Sequence, residues 1–279
     1  MMTAALSLAL GLLAGPEPPA AAGALAEGDG HYARRAEGAP GDVALPGPVE
    51  AAIQAYRRAV AADPQGLEPL YKLLRALHFR GAFCGASIDE RKAIFEEGKT
   101  LGQAAVDRLE KGVGRAQGAA RADALRGVPH AAQLYYWTAA HWGQWALARG
   151  KLAAARAGVA GRVLHLAETV REIDPLLDEG GADRVLGRLH DEAPKIPLIT
   201  GWVSKRKALE HLRRSYTLGP QNSVTRFFLA EAILDHEPEK REEARQLLRL
   251  CADTPPRPEY LVEDAHYSAL ARARLSALR

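Results

Sequence analysis

Two stretches of the chain share one pattern: residues 52–64 read AIQAYRRAVAADP and residues 208–220 read ALEHLRRSYTLGP. In both, apolar side chains recur at the spacing of one helical face. Each stretch ends in a proline, which cannot continue a helix, and a second apolar-periodic stretch follows it. Small side chains stand where a partner helix must approach closely: Ala52, Ala59, Ala208 and Ser215. The pattern therefore predicts two helical hairpins.

Hairpins of this size are the unit of tetratricopeptide-type repeats. One hairpin cannot bury its apolar face alone, so hairpins stack into a solenoid with a concave surface. Ile173-Asp174-Pro175 predicts the end of a third such helix, and Pro220 and Pro255 are separated by about one repeat length. The sequence thus predicts an all-α fold of tetratricopeptide-like stacked helical hairpins, an α-solenoid with irregular insertions. It also favours a binding scaffold over an enzyme.

The N-terminal region differs in composition from the rest of the chain. Residues 4–14 are apolar, prolines follow, and two Ala-x-Ala sites lie within residues 20–24, which suits a signal peptidase. We therefore expect residues 1–22 to be a signal peptide and the protein to be periplasmic; a disordered Ala/Pro-rich start is the alternative. Residues 23–47 are rich in Gly, Ala and Pro without periodicity, which predicts a flexible linker. Residues 48–279 then form a single tetratricopeptide-like α-helical domain.

Composition argues against several classes of function. The net charge is only +3 and no basic block carries interleaved aromatics, so nucleic acid is not an expected partner. The nine histidines are dispersed, and the zinc-protease, paired-cysteine and nucleophile-elbow motifs are absent. We therefore expect no catalytic residues, no metal and no cofactor. Cys84 and Cys251 either pair in an oxidising compartment or pack as small buried side chains, and the second alternative is favoured.

The richest aromatic face in the chain is predicted on a helix over residues 129–149. Six residues fall within an arc of roughly 160° on a helical wheel: Leu134, Tyr135, Trp137, His141, Trp142 and Trp145. Aromatic side chains supply large, rigid apolar area, so this face could line a ligand cavity. The alternative is that it forms hairpin core, with His141 hydrogen-bonded inside it.

A second group of candidates lies between residues 175 and 220, where the spacing of prolines indicates an insertion. Arg184 follows a Gly-Gly pair at a predicted helix start and could hold an anion there, or pair with a local carboxylate. Trp202 and Lys205 follow a proline-containing loop. They either contact a solute or partner, or anchor the loop.

Several stretches share the pattern of one known family. They are Leu134–Trp137, Trp142–Ala146, Asp174-Pro175, Gly180–Gly187, Ala193-Pro194, Ala208–Pro220 and Phe228–Ala232, with residues 91–98 upstream. Residues 130–235 thereby resemble the T component of tripartite ATP-independent periplasmic (TRAP) transporters, the TatT family. The tetratricopeptide part of this pattern is generic, whereas the tryptophan-rich helix and the Gly-Gly turn are more specific.

The resemblance implies an all-helical periplasmic protein, a trimer in that family, with a central pore or groove. It implies association with the solute-binding protein of a TRAP transporter, and a small apolar or carboxylated solute as ligand. The family is typified by lipoproteins, but no cysteine lies near the predicted cleavage site, so no stable membrane anchor is expected. Two alternatives are a general periplasmic adaptor for protein assembly without a transport role, and an enzyme without a recognisable motif.

Overall fold

The computed structural model describes residues 19–114, 118–196 and 200–278. Within these ranges the chain forms α-helices and no β-strand, which confirms the predicted all-α fold. In chain order the helices are α1 (Pro19–Ala33), α2 (Pro46–Ala62), α3 (Leu67–Phe83), α4 (Ile88–Val113), α5 (Gly118–Arg126), α6 (Ala131–Arg149), α7 (Lys151–Arg156), α8 (Val159–Ile173), α9 (Gly181–Glu192), α10 (Lys205–Leu218), α11 (Ser223–His236), α12 (Arg241–Asp253) and α13 (Leu261–Ala277).

The hairpin pattern is confirmed by the packing. Helix α2 packs on α3, and α10 packs on both α9 and α11. The four small residues at the predicted contacts are fully buried: Ala52, Ala59, Ala208 and Ser215. Helix α4 begins with a capping box, in which the Glu90 amide donates to Ser87 Oγ and the Ser87 amide donates to the Glu90 carboxylate. Local sequence therefore sets where these helices begin and which faces they bury.

Residues 23–47 are not the flexible linker that their composition predicts. Most of α1 lies in this region and packs along α2, where Gly28 lets the Tyr56 ring come close. The Tyr56 hydroxyl donates to the Asp29 carboxylate at 2.8 Å, and Leu25 is buried in the same core. Alanine is the strongest helix former, so an Ala-rich segment without clear periodicity can still form a helix once α2 offers a surface. The folded unit therefore begins before residue 48.

The predicted signal peptide falls mainly outside the described residues, because its apolar run at residues 4–14 lies before Pro19. Both predicted cleavage sites fall in the first two turns of α1, where Ala21 is fully buried. Cleavage at either site would shorten α1 at its N-terminal end. Export of the protein stays a prediction.

The helical state of α1 is testable at Gly30, which is exposed and has open space around a Cβ. We expect Gly30→Ala to raise the free energy of unfolding by about 0.5–1 kcal/mol, because alanine favours a helix interior over glycine. Gly30→Thr is the matched control, since it restricts the unfolded chain similarly but is a poor helix former. Urea unfolding measures both, and equal stabilities of the two variants would argue for a linker.

The last helix returns to the first part of the chain and closes the solenoid. Helix α13 contacts α3, and Val262 joins the core that α1, α2 and α3 form. The Arg35 guanidinium lies 2.9 Å from the Glu263 carboxylate across this junction. A ring of helices therefore surrounds the space at the centre. No described helix is both long and apolar enough to cross a membrane.

Candidate functional site

The ring of helices surrounds a cavity of about 930 Å³ that is partly open to solvent. This volume lies near the upper end of ligand pockets, which span about 300–1,000 Å³. Its walls come from α1, α3, α6, α7, α8, α9, α11 and α13, so both ends of the chain contribute. The lining includes aromatic side chains from five of these helices: Tyr32, Tyr71, Tyr136, Trp137, Phe228 and Tyr267.

Part of the wall formed by α6 and α8 consists of small side chains. Ala139, Ala140 and Gly143 line it from α6, and Gly161 and Val163 line it from α8. A Cβ added at Gly143 or Gly161 would meet no atom within 4 Å. Small side chains here keep the space open, and the surface they leave is apolar.

Arginines on the cavity wall are mostly neutralised by carboxylates of the protein itself. The Arg188 guanidinium is 2.7 Å from the Asp191 carboxylate, and Arg257 lies 2.8 Å from Asp264. Arg35 is paired across the ring junction as described above. The Arg188 pair lies within α9, whereas the pairs of Arg35 and Arg257 join separate segments of the chain. In each case a carboxylate of the protein itself balances the charge of the guanidinium.

The predicted aromatic face is divided between two environments. Tyr135, Trp142 and Trp145 are buried against α4. Trp142 Nε1 donates to Gln103 at 2.9 Å, Trp145 Nε1 donates to Glu96 at 2.6 Å, and the Tyr135 hydroxyl donates to Glu110 at 3.2 Å. These three side chains do not line the cavity. The interpretation as hairpin core therefore applies to them.

His141 also belongs to the core. It is fully buried, and its Nε2 atom donates to the Leu74 carbonyl at 2.8 Å. Burial lowers the pKa of His141 to about 4, so the ring is neutral at physiological pH. A neutral, enclosed ring between α3, α4 and α6 contributes packing and one hydrogen bond rather than a ligand contact.

Trp137 lines the cavity, which is one of the two roles predicted for the aromatic face of residues 129–149. Its ring centroid is 5.4 Å from that of His78 and 5.1 Å from that of Tyr136. The predicted site residues do not include three side chains of α3 that line the cavity: Tyr71, Arg75 and His78. These three residues are spaced i, i+4 and i+7, so they lie on one face of the second helix of a hairpin. This spacing is the sequence signal that could have identified them, since that face of α3 is turned inward.

Arg184 lines the cavity, but its guanidinium already has ion-pair and hydrogen-bond partners within the protein. It is 5% exposed and forms an ion pair with Asp178. It also donates to the Tyr136 hydroxyl at 2.9 Å and to Thr225 Oγ1 at 3.2 Å. Gly180 caps α9 with φ +78°, a conformation that glycine adopts without strain. Of the two predictions for Arg184, the structure therefore shows the ion pair with a local carboxylate. Asp178 takes the place of the external anion that the other prediction allowed.

Trp202 and Lys205 do not line the cavity. Trp202 is half-buried and meets the His190 ring edge-on, with centroids 5.4 Å apart. The exposed Lys205 ammonium donates to the Asp191 carbonyl. Both residues therefore anchor the segment before α10 onto α9. Residues 197–199 of that segment lie outside the described residues.

The two cysteines are free and lie in separate hydrophobic cores. Burial raises the pKa of Cys84 to about 11 and that of Cys251 to about 12, so both remain thiols. Within the described ranges, no group of three or more His, Cys, Asp or Glu side chains could hold a metal ion.

No protein-family model matches the chain, and no curated protein matches it either. Among solved structures, the chain is similar to the assembly chaperone of RpL4 (Acl4), residues 1–338, at 19% identity. The match covers 93% of this chain and 84% of that chain, with a TM-score of 0.47. Similarity at this level carries no inference about function.

Proposed function

We propose that the protein is a helical-repeat scaffold that binds a small, largely apolar solute in its central cavity. The cavity itself carries the proposal. A cavity of about 930 Å³ with a largely apolar lining can accommodate such a solute. The aromatic and small apolar side chains of this lining suit a hydrocarbon body.

The proposal extends to a protein partner. Residues 130–235, which resemble the TRAP T component, supply the small-residue wall and Trp137. We therefore propose that the protein is exported and associates with the solute-binding protein of a TRAP transporter. Affinity purification from the native periplasm should recover such a solute-binding protein. Recovery of peptides or unrelated assembly partners alone would favour the general adaptor.

Filling the cavity tests the proposed binding site. Gly143 lines the cavity, and a Cβ at this position has open space around it, so we expect the indole of Gly143→Trp to occupy part of the cavity. We expect 1-decanol to bind the wild type and to bind this variant at least about tenfold more weakly, which corresponds to about 1.4 kcal/mol. Isothermal titration calorimetry measures both affinities.

Gly30→Trp is the control, because it adds the same side chain at an exposed position of α1 that is outside the cavity lining. This control should bind 1-decanol like the wild type. Two results would contradict the proposal: no binding of 1-decanol to the wild type, or wild-type affinity in the Gly143→Trp variant.

A further inference from the structure

We infer that Arg75 is the anchor for the head group of the solute, and that this head group is a carboxylate. The inference rests on the proposed function and adds the chemical class of the ligand. Arg75 stands on the inward face of α3 between Tyr71 and His78, and all three side chains line the cavity.

Within the part of the chain that the structure describes, Arg75 differs from the other arginines of the cavity in having no anionic partner. Its Nε atom is buried and has no hydrogen-bond partner among the described residues. Among the residues that the structure describes, no carboxylate oxygen lies within the 4.0 Å of an ion pair to this guanidinium. By contrast, Arg35, Arg184, Arg188 and Arg257 each have at least one carboxylate within that distance.

The groups around Arg75 offer it no free negative charge at physiological pH. Its guanidinium lies over the Tyr32 ring, 4.1 Å from the centroid. Burial raises the pKa of Tyr32 to about 12 and also raises that of Tyr71, while burial lowers the pKa of His78 to about 3. Asp29 is already engaged, since it accepts from Lys72 Nζ and from the Tyr56 hydroxyl, both at 2.8 Å.

A partly buried guanidinium without a counter-ion is costly, and one cation–π contact offsets only part of that cost. A ligand anion would restore the missing partner. The planar fork of an arginine suits the two oxygens of a carboxylate, and one unpaired arginine matches a single negative charge. From this anchor, the His78 ring lies next to the Trp137 ring, so the apolar body of the solute would extend along these two side chains.

The test compares two ligands that differ in the head group alone, decanoate and 1-decanol, by isothermal titration calorimetry at pH 7.5. We expect Arg75→Met to weaken decanoate binding at least about tenfold, because the charged partner is lost while the stem on Tyr32 is kept. Binding of 1-decanol should change less than about twofold. Unchanged 1-decanol binding also reports that the variant is folded.

Lys151→Met is the matched control, since Lys151 is an exposed cation that lines the same cavity. A solvated, exposed charge contributes little, so decanoate should bind this variant within about threefold of the wild type. Arg75→Lys keeps the charge without the fork and should show an intermediate loss of decanoate affinity.

Three results would overturn the inference about Arg75. They are unchanged decanoate affinity in Arg75→Met, an equal loss of both ligands, and an equal loss of decanoate in Arg75→Met and Lys151→Met. The first and third leave the cavity proposal intact, because 1-decanol still binds. Failure of both ligands to bind the wild type would overturn the cavity proposal together with this inference.

Discussion

Replacing Arg184 with methionine is expected to lower the free energy of unfolding by about 3 kcal/mol. The guanidinium is buried and ties Asp178, Tyr136 and Thr225 together, so α6, α9 and α11 all depend on it. Without it, the Asp178 carboxylate loses its partner in a largely enclosed site. The expected value is at the lower end for a broken buried pair, because the Asp178 side chain keeps 25% exposure and can be rehydrated in part.

Arg206→Met provides the comparison for this prediction. Arg206 also pairs with a carboxylate, that of Glu210, but its side chain is 75% exposed. Removal of an exposed pair of this kind should change stability by less than about 0.5 kcal/mol. Urea unfolding with circular dichroism measures both variants. If Arg184→Met is as stable as Arg206→Met, the arginine is not a structural tie, and a direct role in ligand binding becomes the better explanation.

Gly98→Leu is expected to destabilise the protein by about 3 kcal/mol, because it forces α4 away from α6. A Cβ at Gly98 would already lie 2.2 Å from two atoms of the His141 ring. That ring cannot move aside easily, since it is held by the Leu74 carbonyl and packs edge-on against Phe95. A leucine at this position therefore requires the two helix backbones to separate.

The helix preference of leucine opposes this loss, since leucine exceeds glycine in helix propensity by somewhat under 1 kcal/mol. Gly30→Leu isolates that contribution, because Gly30 is an exposed helical position with no neighbour near its Cβ. The control should be as stable as the wild type or slightly more stable. Thermal unfolding can rank the three proteins, and a Gly98→Leu variant as stable as the control would mean that α4 and α6 are not in close contact.

The fold could be predicted largely from the sequence because its signals are local. Proline-terminated helices, small residues at helical spacing and the Ser87 capping box each specify structure within a few residues. Helix α1 was missed because its support is not local. Its hydrophobic pattern is weak, and the partners that hold it, Tyr56 among them, belong to another helix.

The candidate site was harder to predict because the contacts that decide it join distant parts of the chain. The aromatic row on α6 was found, but the sequence could not tell that α4 covers most of it and leaves Trp137 to the cavity. The sequence pointed to Arg184, which follows a Gly-Gly pair, and not to Arg75. Their difference is the presence of Asp178 beside one and the absence of a described carboxylate beside the other, which the fold alone decides.

The ion pair between Arg35 and Glu263 should affect how cooperatively the chain unfolds. An open repeat array contacts only its neighbours, so its stability is nearly a sum of local terms and its ends fray independently. Here a contact spans 228 residues, which links the two ends into one cooperative unit and raises the average sequence separation of native contacts. Loss of either end should therefore loosen the opposite end too.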